Sequence, residues 1–544
     1  MQAYVSATGI RWVSMDKFSM DDLLCATAYP HGTEDIQVKE SHVSWVVLTG
    51  PFVYKIKKPV HYDFIDASTL ERRRFLCHEE LRLNRRFAPG LYESVLPITR
   101  VDGRLSVGGP GEPLEYAVKM RQFEPSQELA ERLARGDVTG EDMGSFAALL
   151  ADCHLRAAVV PAGASFGTFE CVRKLMLDNF RPLERHVASG PARNQLGRLV
   201  DWTRESLARL QPLIEWRRRS GAVRECHGDL HARNIVRWQQ QWLPFDCLEF
   251  NPELRWIDVI GDSAFLFMDL VSHRREDLAC AFMSRYLEET GDYAGLRLLP
   301  LYASYYALVR AKVDALGVET AVPAERRGLE SRLAGRLAAA ARFMDAKRPA
   351  IVIMHGVTAS GKSSLSERLV PAIHALQIRS DLERKRLEGV APLARRIFGV
   401  GEGAYVTAST QATYSRLLEL AESALDGNCS VVIDASFLDA SHRATFRSLA
   451  RDRQCPFLIV SCVSDPSTLA SRLRARALTA LDPSEATEAV LDHQLRTLQP
   501  LAADELQHAI SVDTSSPGTA SEAVKAIQAR LSSLVCVTSS QGPS

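Results

Sequence analysis

The stretch that most limits how this chain can fold is residues 350–364, AIVIMHGVTASGKSS. The apolar run Ala350 to Met354 leads straight into the pattern GxxxxGKS at Gly356–Ser363, and an amphipathic run follows. A buried strand that feeds a glycine-rich turn and then a helix calls for a parallel sheet, because such a helix crosses back over the sheet before the next strand. The same spacing carries chemistry. Gly356 and Gly361 let the backbone N–H groups of Thr358, Ala359 and Ser360 curl around phosphate, and the helix opening at Lys362, Ser363 and Ser364 turns its positive end toward them. Lys362 is then placed for the β- and γ-phosphates and Ser363 for magnesium.

Two more apolar runs end in acids. HALQIRSD sets Arg379 and Asp381 just beyond a strand, and NCSVVIDASF sets Asp434 at the end of another. In an open parallel sheet the carboxyl ends of the strands face the ligand crevice, so these groups are expected to point toward nucleotide and substrate. Asp381 reads as a base or substrate anchor, and Asp434 as a magnesium partner. Arg472, Arg474 and Arg476 in ASRLRARALTALDPSEATEAVL read either as a cationic lid over a transferring phosphoryl group or as a solvated helix face.

A second chemical centre lies upstream, in Cys226–Phe250, CHGDLHARNIVRWQQQWLPFDCLEF. Asp229 is followed five positions later by Asn234, and Asp246 comes after a short strand-like run, Trp242–Phe245. Phosphoryl transfer asks for this set: a carboxylate to orient and deprotonate the attacking hydroxyl, and hard oxygen ligands for a magnesium ion on the nucleotide. His227 and His231 lack the glutamate that a zinc-binding HExxH helix would carry, so a zinc site is the weaker reading.

Nearer the N-terminus, HVSWVVLTG and PFVYKIKKP are β-rich runs joined around Thr49-Gly50-Pro51, a hairpin by composition. Lys55 sits among apolar neighbours and suits the nucleotide α/β-phosphates, whereas Lys57 and Lys58 are expected in solvent. In STLERRRFLCHEELRLNRRFAP, Ser68 and Glu71 predict a capping box opening a helix that ends before Pro89. Leu76, Glu80, Leu83 and Phe87 share one face of that helix, which makes Glu80 the preferred partner of Lys55 and Glu79 the runner-up. Leu114–Phe123 reads as a strand, and residues 126–220 as mainly helical.

These residues carry resemblances. HGDLHARN with the following FD resembles the aminoglycoside phosphotransferase and choline kinase superfamily, and the segment from Tyr54 through Pro89 is similar to the N-terminal lobe of bacterial proteins described as bifunctional aminoglycoside phosphotransferase-like and ATP-binding. The resemblance implies Asp229 as catalytic base, Asn234 and Asp246 as magnesium ligands, Asp262 as a brace for the catalytic loop, and Leu114–Phe123 as the strand at an interlobe hinge. One departure is plain: no GxGxxG loop covers the phosphates, and Gly50 stands alone. The C-terminal half resembles the zeta-toxin-like and gluconate-kinase-like P-loop kinases, with GxxxxGKS, an RSD segment and an arginine-bearing lid. Where close members have Ser-Asp-Ala this chain has Ser484-Glu485-Ala486.

Length alone suggests roughly three or four domain-sized units. A chain of 544 residues is too long for one core, and 46% hydrophobic with 24% charged residues is ordinary for a soluble protein. Lys+Arg and Asp+Glu balance at 66 each, so no strong field favours long nucleic acid or an anionic membrane. Eleven cysteines without a CxxC pair fit free thiols in a reducing cytosol, and with no apolar targeting segment a cytoplasmic protein is expected.

The expected architecture is an α+β protein-kinase-like bilobal domain at 41–345, then an α/β P-loop domain with a parallel sheet at 346–531. Residues 1–40 are poorly defined by sequence, and 532–544 read as a disordered tail. The expected activity is ATP- and magnesium-dependent transfer of the γ-phosphoryl group to a hydroxyl of a small molecule, with two nucleotide sites. Two alternatives stand beside it: one half catalytic and the other sensing nucleotide, or a P-loop half that phosphorylates a nucleotide sugar or a polynucleotide 5′-hydroxyl.

Overall fold

The computed structural model describes residues 20–62, 65–187, 190–320, 323–345, 348–390, 407–478, 488–516 and 518–539. They form two compact units that alternate along the sequence. The first takes Met1–Val138, Asp152–His273 and Leu301–Met344, and the second takes Thr139–Ala151, Arg274–Pro300 and Asp345–Ser544.

The first unit joins an antiparallel sheet to a helical region, the α+β protein-kinase-like architecture. Its strands are β1 (Gln37–Glu40), β2 (Ser44–Leu48), β3 (Phe52–Lys57), β4 (Tyr92–Val101), β5 (Arg104–Val107) and β6 (Glu115–Arg121), in the order β1-β2-β3-β6-β4-β5. Alternation sets their faces: Val47, Tyr54, Ile56, Ile98 and Ala117 are buried in one cluster, joined by Leu23 and Tyr29 from the segment before β1. The hairpin around Gly50 is present, with Val47 opposite Tyr54 and Leu48 opposite Val53. Gln122, just past β6, accepts hydrogen bonds from Thr49 N and Gly50 N at 3.2 and 3.1 Å, so the turn is tied down rather than arched over a ligand.

Helix α1 (Leu70–Asn84) crosses this sheet. Its N-cap is Thr69, whose side chain accepts from Arg72 N; Ser68, expected as the cap, donates instead to Asp66. The shift of one residue follows from Asp66, which takes both the backbone N–H and the hydroxyl of Ser68. The helical region then carries the hairpin β7 (Ile235–Trp238) and β8 (Gln241–Pro244), followed by the almost wholly buried helix α2 (Val259–Ser272). Asp258 caps α2, accepting from Ile260 N at 3.0 Å. The four-residue spacing of Leu329, Leu333 and Leu337 puts them on one helix face, and all three are buried.

The second unit is a P-loop fold. Helix α3 (Glu276–Thr290) belongs to it, although it lies between two stretches of the first unit in sequence. Five strands, β9 (Ile351–His355), β10 (Ala375–Arg379), β11 (Ser430–Asp434), β12 (Phe457–Val463) and β13 (Ala509–Asp513), form an all-parallel sheet in the order β10-β11-β9-β12-β13. β9 is central, and its residues are wholly buried, as strands covered on both faces must be. Helix α4 (Lys362–Ala372) follows β9, and α5 (Pro466–Leu478), α6 (Glu488–Thr497) and α7 (Thr519–Ser539) come later. α7 continues beyond Ser532, where a disordered tail was expected, and Ile527 and Leu531 anchor it in the core beside Leu369 and Val512.

α3 packs on α4 and on β10, the edge strand. Ser284 Oγ accepts from Gln377 N at 3.1 Å, which satisfies a backbone donor that the edge would otherwise bury unpaired. One turn on, Glu288 lies against the end of the same strand, where Arg379 is its strongest charged neighbour. Burial still pushes the Glu288 carboxyl up to about 7. Because an acid with a raised folded pKa holds its proton in the native state, its contribution to stability is present below about 4.5 and is lost as pH rises toward 7. Glu288→Gln should therefore gain stability relative to the native chain between pH 5 and pH 8, read by urea denaturation; an identical difference at both pH values refutes this.

Candidate active sites

In the first unit the groups singled out in sequence converge. Lys55 Nζ lies 2.8 Å from Glu80 Oε1, and it also contacts Asp246 Oδ1. Glu80, not Glu79, is thus the partner; Glu79 turns to Arg82 and Arg255. Lys57 departs from the expectation of a solvated lysine. It is fully buried, its Nζ 2.5 Å from Glu80 Oε2 and paired with Glu249. Lys58 is buried too, paired with Glu40 and set over the Trp45 ring. The physical reason for Lys57 is strand period: two positions from Lys55 it shares that residue's face, and both ammonium groups meet the same carboxylate. Burial alone would raise the Glu80 carboxyl, but Lys55 and Lys57 together hold it at about 2.

The loop that carries Asp229 is built around buried hydrogen bonds. Asp262 accepts from His227 N at 3.1 Å and Gly228 N at 2.8 Å, and its Oδ2 lies 3.1 Å from His154 Nε2, so the brace expected of it is there. Gly228 has φ +86°, and a Cβ there would come within 2.7 Å of Leu254 O, which leaves glycine as the residue that fits. His227 joins two segments: its Nδ1 meets Asp229 N at 3.3 Å and its Nε2 meets Phe245 O at 2.9 Å. Burial lowers the His227 pKa, so the ring is neutral, and these partners place its proton on Nε2.

Asn234 Nδ2 donates to Asp229 Oδ2 and to Asp229 O, each at 3.0 Å, which directs the amide oxygen away from Asp229. Asp229 Oδ2 also lies 3.4 Å from His231 Nε2. Burial would raise the Asp229 carboxyl, yet His231, with help from Arg310, keeps it below the usual carboxylate range. It is therefore an ionised carboxylate, 32% exposed and open to a hydroxyl. Asp246 has φ +63°, a strained backbone held by Tyr92 Oη, which accepts from Asp246 N at 3.1 Å. Asn234 and the half-exposed Asp246 supply hard oxygen donors of the kind magnesium takes, so this pair fits that ion.

In the second unit, Gly356 at φ +140° leaves room for Cys462 O and Ser360 Oγ, which a Cβ would meet at 2.5 and 2.7 Å. Ala359 and Gly361 also have positive φ, giving the concave run of backbone N–H groups that anions occupy. Thr358, Ala359, Gly361, Lys362, Ser363, Arg379, Asp381 and Asp434 line one cavity of about 640 Å³, so the sequence-predicted groups of this half come together. Ser363 hydrogen-bonds Asp434, whose carboxyl is raised by burial against the pull of Arg379 and Lys362. A hydroxyl beside a buried carboxylate at the end of a phosphate-binding loop also fits magnesium. Asp381 lies 3.3 Å from Arg384.

The arginines divide. Arg472 turns to the loop itself, donating to Ala359 O at 3.2 Å and to Thr514 O at 2.5 Å. Arg474 is exposed and faces Glu488 at 3.2 Å. The Arg476 side chain and Ser484-Glu485-Ala486 lie outside the described residues. Gln494 on α6 was not anticipated: its Oε1 accepts from Thr358 N at 2.6 Å, while Lys362 Nζ donates to Val357 O at 2.7 Å. Neither Gln494 nor Glu288 belongs to a motif, and only the fold brings them to the site.

Comparison with known proteins adds relatives of both halves. Residues 351–501 match the family described as AAA domain, in keeping with the P-loop and parallel sheet above. Among solved structures, a gluconokinase from Sinorhizobium meliloti 1021 is 24% identical, covering 36% of this chain and 99% of its own with a TM-score of 0.26. A choline/ethanolamine kinase family protein from Mesorhizobium loti is 15% identical, covering 58% of this chain and 90% of its own with a TM-score of 0.37. Over most of its length the chain is similar to "Uncharacterized protein Rv2004c" of Mycobacterium tuberculosis, 30% identical over 445 residues, 81% of this chain and 86% of the relative. A counterpart from Mycobacterium bovis matches equally. The chain belongs to the family of these mycobacterial proteins.

Proposed function

We propose that the chain is an ATP- and magnesium-dependent small-molecule kinase with two phosphoryl-transfer sites. The observation that carries this reading is the set of contacts that joins Lys55 to Glu80 and Asp246 and Asn234 to Asp229, with His227 tying the two segments together. Asp229, ionised and open to solvent on one side, takes the proton of the acceptor hydroxyl as its oxygen bonds to the γ-phosphorus and the bond to the β-phosphate oxygen breaks. Lys55, held on its strand by Glu80, is placed to meet the nucleotide phosphates. Asn234 and Asp246 would hold magnesium, which when bound neutralises phosphate charge. In the second unit Lys362 and the loop amides take the phosphates, Ser363 and Asp434 would hold the ion, and Asp381 with Arg379 faces the acceptor.

A second reading is favoured by Gln494. Its amide oxygen rests on Thr358 N, where a phosphate oxygen would bind, and Lys362 is turned back on its own loop. A P-loop in this resting state suits a unit that senses nucleotide through displacement of α6. Gln494→Ala is expected to tighten ATP binding at the P-loop several-fold by calorimetry, and unchanged affinity removes support for this reading.

The main test follows labelled γ-phosphate from ATP into a mixed panel of alcohols, sugars, amino alcohols and nucleotide sugars. Asp229→Ala should lower one set of products by roughly a hundredfold or more, and Lys362→Ala should remove a different set. If Lys362→Ala leaves every product unchanged, the second unit is not catalytic. Lys57→Met strands Glu249 and half of Glu80 in the interior, so it should cost about 3–5 kcal/mol in urea denaturation. Adding Glu249→Leu should recover part of that loss; no recovery would show that Lys57 acts through something other than this pair.

A further inference from the structure

Beside Asp229 the first unit encloses a cavity of about 100 Å³. Gly228 and Asp229 line one wall, so whatever enters lies beside the residue assigned above as the base. The rest is apolar, with Val172, Leu175 and Met176 on one side and Trp256, Phe265 and Tyr306 on another. The aromatic faces are largely spent on one another: Phe265 stacks on Tyr306 with centroids 4.2 Å apart, and Trp256 stacks on Phe166. Burial pushes the neighbouring Tyr302, Tyr305 and Tyr306 hydroxyls upward, so they remain uncharged.

The charge around the cavity narrows its ligand. No lysine, arginine or histidine lines it among the described residues, whereas Asp229, Glu253 and Asp258 do. An acceptor that already carries phosphate or carboxylate would bring its charge to a dry wall with carboxylates and no cation to pair with. Asp258 is not available to a ligand cation either, because Arg217 grips both its oxygens at 2.7 Å. Glu253 also lines a separate surface depression, with Arg173, Lys174 and Arg181. A polyol or polyamine sugar would have to strip its hydration against hydrocarbon. An engineered apolar cavity of about 150 Å³ stays dry and takes up benzene, which sets the scale for a body that fits here.

Resting on the kinase reading of this unit, we infer that its acceptor is a small uncharged alcohol with a compact hydrocarbon body, held by Val172, Leu175, Met176, Trp256 and Phe265 with its hydroxyl toward Asp229. Each additional methylene buried should multiply affinity by about four, so isoamyl alcohol, with three more carbons, should exceed ethanol by roughly sixty-fold.

The test uses the full chain. Binding of ethanol, propanol, isoamyl alcohol, choline, glycerol and glycerol phosphate is measured without nucleotide by ligand-observed NMR, and transfer of labelled phosphate from ATP to each is then followed in native protein and in Asp229→Ala. Val172→Trp, which fills the cavity, should abolish the rise in affinity with chain length; the native gradient is read independently of that variant. The expected result is a steep gradient with Asp229-dependent labelling of isoamyl alcohol and none of glycerol phosphate. Asp229-dependent labelling of choline or glycerol in preference, or of any alcohol without the gradient, overturns the acceptor class and leaves the kinase reading standing. A gradient with no Asp229-dependent labelling of any alcohol overturns the kinase reading of this unit, and the acceptor assignment falls with it.

Discussion

The first unit depends on one carboxylate serving two ammonium groups. Glu80 comes from helix α1, Lys55 and Lys57 from strand β3, and Glu249 from the segment just after Asp246. Four buried charges in alternation tie three separate parts of the chain. Taken singly, each would carry a heavy desolvation cost in an interior that excludes water. Together they fix the angle of the helix on the sheet and, through Glu249, the position of Asp246 three residues earlier. The strained backbone of Asp246 is the local counterpart of that constraint, since a left-handed conformation persists only where its surroundings hold it.

The two candidate phosphate sites present positive charge with different material. In the second unit the positive field comes from backbone: a run of N–H groups around Ala359 and Gly361, at the start of a helix. In the first it comes from a side chain, Lys55, and the glycine hairpin that might have supplied backbone donors is bound to Gln122 instead. The absence of a glycine-rich loop in the sequence therefore has a structural counterpart. With Thr49 N and Gly50 N already engaged, the β2–β3 turn is a brace for the sheet.

Much of this was legible because short-range rules act on it directly. The parallel sheet follows from apolar strands ending at Gly356, Arg379 and Asp434, and Glu80 could be preferred to Glu79 because only Glu80 falls on the apolar helix face. Lys57 was misplaced because its charge was read before its position on the strand; the two-residue spacing from Lys55 carried the signal. The N-cap moved by one residue because Asp66 competes for Ser68, a contact no capping pattern encodes. Gln494, Glu288 and the apolar wall beside Asp229 are gathered from segments far apart in sequence. No local periodicity announces such groupings, and they become visible only when the chain is folded.

The interleaving of the two units has a consequence for how the protein comes into being. Ser284 and Glu288 are synthesised well before strand β10, the edge they cover, and the whole of Leu301–Met344 is made in between. As the chain leaves the ribosome from its N-terminus, α3 must wait with an apolar face uncovered until the P-loop sheet exists. The second unit is therefore not contiguous in the gene: a fragment starting at the apparent boundary near Pro349 would leave out Thr139–Ala151 and Arg274–Pro300, whereas every piece of the first unit lies before that boundary.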